Sequence, residues 1–173
     1  MGLQDKKAYS RVQGIRHIAT LADLLEIDTQ ELLSVADAVE SHWKPGKKLY
    51  KKNGEPRITH DAKFPLKNIH EKIKNKLLRR VIYPPYLLGG ISDRLQPRDY
   101  KRHAAIHSGK QVLISEDIAN FFPATSPAHV HGIWQGLFQF HPELARVLTL
   151  LTTHDNMLPQ GWKTSGYLAN LVS

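Results

Sequence analysis

Residues 111–122 read QVLISEDIANFF, and the fold turns on how this stretch is taken. Val112, Leu113 and Ile114 form a short continuous apolar run of the kind a buried strand requires, and it leads straight into Glu116 and Asp117. A carboxylate at the end of an apolar strand is costly to bury unless something pairs with it or coordinates to it. Asp117 is therefore either a functional acid or the N-cap of a helix beginning in IANFF, and the residues alone leave both open. Phe121 and Phe122 follow. On a strand, neighbouring side chains face opposite sides, so one of the two belongs to the core, and Glu116 points away from Asp117 by the same alternation.

Working outward toward the N-terminus, residues 98–110 (RDYKRHAAIHSGK) are rich in Arg, Lys and His, and Gly89-Gly90 and Pro84-Pro85 mark loop before them. Residues 65–82 (PLKNIHEKIKNKLLRRVI) predict a helix opened by Pro65, with Leu66, Ile69, Ile73, Leu77 and Val81 as one apolar stripe. Lys67, Lys72, Lys74, Lys76, Arg79 and Arg80 fill most of its remaining surface. Residues 47–59 (KKLYKKNGEPRIT) predict a hairpin turning at Asn53-Gly54, with a cationic tip. Before Pro45-Gly46, two short helices are expected. Thr20 can cap the first, and Asp28 with Glu31 opens the second, whose Leu32, Val35, Ala36 and Val39 recur at helical spacing. As a helix-turn-helix this pair is a poor DNA reader, because the second helix carries Glu31, Asp37 and Glu40 and no cation. Toward the C-terminus, Pro127 and Pro142 open two helices, residues 158–165 (LPQGWKTS) make a turn-rich loop, and another helix starts at Gly166.

The 173 residues hold 24 Lys and Arg against 16 Asp and Glu, for a formal charge of +8. The charge is unevenly spread. Residues 44–110 carry 18 basic and 5 acidic side chains, whereas residues 1–43 carry 4 and 7, and residues 111–173 carry 2 and 4. A middle this basic is the footprint of a phosphate-backbone binder, although a solvated lysine-rich surface has the same composition. The absence of cysteine excludes disulfides, thiolate zinc sites and a cysteine nucleophile. His129 and His131, two residues apart on a helix, diverge too far to share a zinc ion. Trp43 and Trp134 read as packing residues, and Trp162, in the loop, as either a packing residue or a base-stacking platform. No apolar run approaches the ~18 residues of a membrane span, and the start lacks the apolar core of a signal peptide. Lys6 stands where myristoylation would want Ser or Thr. The expectation is a soluble, cytoplasmic chain, one ordinary domain or one piece of a larger one, with no membrane partner.

Three stretches in order then carry a resemblance: residues 50–59 (YKKNGEPRIT) with 65–73 (PLKNIHEKI), residues 94–125 (RLQPRDYKRHAAIHSGKQVLISEDIANFFPAT), and residues 158–172 (LPQGWKTSGYLANLV). Together they resemble the bacterial reverse transcriptases of the retron and group II intron kind, from about Ala19 onward. The resemblance implies an α/β (α+β) fold: right-hand polymerase fingers and a partial palm, with an incomplete antiparallel palm sheet and a helical N-terminal extension. The expected units are 1–43 (helical extension), 44–110 (basic fingers) and 111–173 (partial palm).

It also implies roles. Asp117 would be the first catalytic, metal-holding carboxylate of a two-magnesium site, with the backbone carbonyl of Ile118 as an extra ligand. Phe122 would lie under the incoming sugar and exclude a 2′-hydroxyl. Lys51, Lys52 and Arg57 would close on the triphosphate, while Gln160 and Gly161 would touch the nucleotide sugar and nascent base pair. Lys67, Lys74, Arg79, Arg80, Arg94, Lys101 and His107 would face RNA, His107 in a structural role as well. The implied partners are an RNA template, a DNA or RNA primer and deoxynucleotides. The parent system would be a retron, an intron or another phage-defence element.

The departures matter equally. The chain has no Asp-Asp pair, Gly166 stands where many relatives have a proline, and the stretch before Arg94 lacks His-Gly-Phe. One aspartate cannot hold two magnesium ions. The expectation is therefore a chain inactive alone, truncated or one half of a split enzyme completed by a second chain carrying the rest of the palm and the thumb. The rival expectation is a non-catalytic RNA-binding module.

Overall fold

A computed structural model describes residues 7–50, 54–93 and 97–172. Its centre is a helical core. Helix α1 (Ile18–Leu25) and helix α2 (Thr29–Asp37) pack on each other, α1 against α3 (Leu66–Lys76), and α2 and α3 against α7 (Pro142–Thr152). Leu21, Leu25, Leu32, Leu66, Ile69, Ile73, Leu148 and Leu151 are wholly buried there, together with Trp134 and Phe138. Each fully buried side chain of this size contributes about 1.5–3 kcal/mol relative to exposure, so the apolar stripes, more than helix propensity, hold these short helices in place. One hydrophobic cluster draws on the acidic first segment, the basic middle and the C-terminal segment alike. The three charge segments therefore share a core and differ at the surface.

The caps follow the sequence in part. Asp28 accepts hydrogen bonds from the backbone N–H groups of Gln30 (2.9 Å) and Glu31 (3.0 Å) and starts α2 as expected. Thr20 does not cap α1. That helix begins two residues earlier, after His17, and Thr20 sits inside it. The helix expected over 65–82 stops at Lys76. A 3-10 turn (Leu78–Arg80) and then a strand (Val81–Ile82) follow, well before Pro84-Pro85. Leu77 and Val81 still reach the core, so the stripe survives the change of backbone. After α6 (Pro127–Gly132), residues Ile133–Leu137 form a π-helical turn that seats Trp134 and lets Phe138 follow it inward.

Strand structure among the described residues is confined to three two-stranded antiparallel ribbons. Strand β1 (Tyr9–Ser10) pairs with β6 (Val81–Ile82), and β2 (Trp43–Pro45) pairs with β5 (His60–Ala62) through Trp43 opposite Ala62. The third ribbon joins β3 (Leu49–Tyr50) to β4 (Pro56–Arg57), which is the hairpin expected around Gly54. Residues 51–53 of its tip lie outside the described residues.

The buried strand expected at 111–115 is absent. Val112, Leu113 and Ile114 are 78%, 62% and 81% exposed, and residues 112–118 are neither helical nor strand-paired. A strand needs a neighbour for its N–H and C=O groups, and none of the three ribbons pairs with this segment. An apolar pattern specifies burial, and burial needs something to cover it. Downstream, Asn120 in a left-handed conformation (φ 54°) turns the chain into α5 (Phe121–Ala124), so the two phenylalanines sit on a helical turn and not on a strand.

Candidate functional site

Asp117 lines an open groove of about 720 Å³, walled by Leu87, Gly89 and Gly90 on one side and by Phe121, Phe122 and Gly166 on others. Its side chain is exposed and has no hydrogen-bond or ion-pair partner among the described residues. It is not a helix cap, because α5 begins after Asn120. Ile118 follows it and is 66% exposed. Phe122 packs in part on the hydrophobic core and meets the Phe121 ring edge-on at 6.2 Å, so its ring is at once groove wall and anchor.

Two chain segments hold the groove in shape. Helix α8 (Ser165–Ala169) approaches Gly90 so closely that a Cβ on Gly166 would sit 3.0 Å from the Gly90 carbonyl oxygen. Asn170 Nδ2 then donates to the carbonyls of Gly89 (2.9 Å) and Gly166 (2.7 Å), pinning the loop to the helix. The other hold is Arg98. Its guanidinium is almost wholly buried and donates to the carbonyls of Pro84 (2.7 Å), Leu87 (2.7 Å) and Tyr83 (3.0 Å), with Asp93 beside it at 3.4 Å. Nothing in the sequence separated Arg98 from the neighbouring surface cations. Its role comes from carbonyls up to fifteen residues away that only the folded loop gathers.

The loop of residues 158–163 is the junction between motifs. Leu158 N–H donates to the Thr125 carbonyl (2.9 Å), tying the loop to the end of the Asp117 segment. Two residues on, His60 N–H donates to the Gln160 carbonyl (2.7 Å), tying it to ribbon β2–β5. Gly161 (φ 111°) lies against the same strand, and a Cβ there would be 2.5 Å from the His60 carbonyl oxygen. Trp162 is buried against the His70 ring (centroids 4.6 Å apart), so it packs in the core and is not the exposed base-stacking platform its place in the loop suggested. Lys163 then forms an ion pair with Glu71, which also holds Lys74. Those two ammonium groups keep the Glu71 carboxyl low, at about 2.

Gly161 lines a second groove of about 510 Å³ with Lys44, Lys47, Thr59 and Asp61. The structure thus joins the loop to the hairpin side, while Asp117 opens into a different groove with which this one shares no lining residue.

The cations divide. Lys67 is paired with Asp61 at 3.0 Å, and Lys74 with Glu71, so both are partly neutralised where they stand. Arg79, Arg80 and Lys101 are exposed, and His107 lies half-buried on α4 (Tyr100–His107). Lys51, Lys52 and Arg94 lie outside the described residues, and Arg57 is described only by its backbone pairing with Leu49.

A buried cluster of rings escaped the sequence reading. The His154 ring lies 4.5 Å from Trp43 and 5.7 Å from His60, and its Nδ1 meets Glu40 at 3.0 Å. His60 is pushed below the ordinary histidine range by burial and by the neighbouring His154. His70, 1% exposed with Nε2 against the Leu151 carbonyl (2.6 Å), is driven to about 4 by burial. Single histidines at positions 60, 70 and 154 carry no local signal, because the cluster is made by strand pairing and helix packing.

Among the described residues no three His, Asp or Glu side chains gather closely enough to hold a metal ion, and no helix is long and apolar enough to cross a membrane. No family model matches the chain. Similar curated proteins exist, however. The chain is 34% identical to the Retron Se72 reverse transcriptase of Salmonella heidelberg (strain 579083-10) over 158 residues, 91% of this chain and 41% of that protein. It is 25% identical to the Retron Ec48 reverse transcriptase of Escherichia coli, over 95% of this chain and 42% of that protein. The Retron Ec86 reverse transcriptase of Escherichia coli is 26% identical over 66% of this chain and 41% of that protein. The chain therefore spans about two fifths of the length of these relatives.

Proposed function

Because the homologues of this chain are retron reverse transcriptases, we propose that it supplies the fingers and first part of the palm of an RNA-directed DNA polymerase. On this reading Asp117 is one ligand of a magnesium site. The observation that carries it is an exposed carboxylate with no partner among the described residues, set with Glu116 in a groove of about 720 Å³ beside two phenylalanines. A carboxylate fixed there for stability would have a cap or a cation to hold; among the described residues this one has neither.

The residues described do not by themselves make a magnesium site. The remaining carboxylates would come from the further length that the relatives have, on the same or a second chain. Lys51, Lys52 and Arg57 would meet the triphosphate, with Gln160 and Gly161 beside the nascent pair. Phe122 would lie under the sugar, where its anchoring in the core makes it a rigid plate against a 2′-hydroxyl. Arg79, Arg80, Arg94, Lys101 and His107, with Lys67 and Lys74, would face the template-primer backbone; phosphate contacts of this kind fix position and not sequence. The exposed 112–114 run would become a palm strand once a neighbouring strand is supplied.

The test is primer extension on an RNA template, with magnesium and deoxynucleotides, by an assembly that supplies the remaining length. Asp117→Asn should abolish extension and leave folding and RNA affinity intact. Extension by that variant at the unmodified rate would reject the assignment. A second reading, a non-catalytic RNA-binding module, is favoured by the incomplete metal site. It predicts salt-sensitive RNA binding and no extension in any assembly.

A further inference from the structure

Helix α4 (Tyr100–His107) has no buried residue. It stands on the surface, started by Asp99, whose side chain accepts from the Arg102 N–H at 2.8 Å. Positions four apart on a helix are neighbours on one face, and His103 and His107 are so spaced. Their Nε2 atoms are 3.3 Å apart, with ring centroids 4.8 Å apart.

That distance has a chemical meaning. Two imidazole nitrogens, each about 2.0–2.1 Å from one tetrahedral zinc ion, lie about 3.3 Å from each other. Two neutral imidazoles can also share one N–H, but such a bond is best near 2.9–3.0 Å, and two imidazolium ions would repel at this range. We propose that His103 and His107 form a two-imidazole site for a divalent transition metal of the zinc or copper class.

The donor set argues the class of ion. Imidazole suits zinc, copper and nickel, whereas magnesium takes oxygen ligands, so this site is chemically separate from any magnesium bound at Asp117. Asp99 at the N-cap adds one negative charge at the start of the helix, where Lys101 and Arg102 add two positive ones. With no third side-chain ligand gathered among the described residues, the remaining coordination positions stay open to water or to a phosphate oxygen. An open, surface site is not one that holds a fold together. Metal binding here is therefore expected to raise thermal stability only by the mass-action amount set by metal concentration and affinity, and α4 to stay folded in the empty chain.

The experiment titrates Zn²⁺ and Cu²⁺ into the full chain by calorimetry, with the Cu²⁺ complex read by electron paramagnetic resonance. The expected result is one preferred equivalent, with coupling to two imidazole nitrogens. His103→Ala and His107→Ala should each weaken it by about tenfold or more and reduce the coupling to one nitrogen. Because α4 has no fully buried residue, both variants should keep the circular dichroism of the parent, and His129→Ala should bind as the parent does. If either α4 variant binds with unchanged affinity and coupling, or if the parent shows no preferred equivalent, the pair is only a contact between rings and the proposal fails. Neither outcome depends on polymerase activity.

Discussion

Gly161 shows how a single residue can be fixed by backbone packing. Its φ of 111° lies where side-chain-bearing residues are strained, and the His60 carbonyl occupies the place of a Cβ. Gly161→Ala is expected to cost about 2–3 kcal/mol, by strain and displacement of the His60–Gln160 hydrogen bond; a chemical denaturation midpoint measures it. Asp117→Asn is the opposite case. With no partner to lose, it should change stability by less than about 0.5 kcal/mol on the same measurement. Asp117 stands out in the sequence as a carboxylate after an apolar run and through the family resemblance, and the structure leaves both the run and the carboxylate exposed. Arg98 does not stand out, since its carbonyl partners at residues 83, 84 and 87 are gathered only by the folded loop.

At the scale of elements, α3 both carries the core stripe and clamps the 158–163 loop. His70 packs against Trp162 and Glu71 binds Lys163, so two adjacent side chains hold two adjacent loop residues. Burial holds His70 neutral down to about 4, against about 6.5 in an unfolded chain. Between those values the unfolded state binds more protons, so stability is full above about pH 6.5 and falls as pH drops toward 4. His60, shifted the same way, adds to the loss. Thermal melts across this range should show a midpoint that drops steadily below pH 6.5, and His70→Phe should flatten that slope. The apolar pattern predicts a longer α3 than the Leu66–Lys76 helix that forms. Leu77 and Val81 keep the apolar period through a 3-10 turn and a strand, because the core rewards an inward side chain whatever backbone delivers it.

At the scale of the molecule, the helical core is closed while the 112–118 segment is not. Val112, Leu113, Ile114 and Ile118 form the most apolar exposed stretch among the described residues, the kind of unpaired segment that associates with other chains. Replacing Val112 and Ile114 with Ser should reduce concentration-dependent self-association in sedimentation velocity and leave the melting temperature within about 1–2 °C, since neither side chain is buried. RNA binding through the basic middle should weaken steeply with salt. Arg79→Ala with Arg80→Ala should lower the log–log slope by about 1–2, one for each phosphate left without its cation.

The amino-acid sequence by itself determined the helical stripes, the Asp28 cap, the hairpin around Gly54 and the concentration of charge in the middle third. Each is encoded by residues within a few positions of one another, where periodicity and side-chain chemistry act directly. The tertiary structure decided which way the 111–118 segment faces, the burial of Arg98, the ring cluster around His154 and the 3.3 Å approach of His103 to His107. Burial and pairing are relations between distant segments. An apolar run states a preference for cover, and whether the cover arrives depends on what the rest of the fold places beside it.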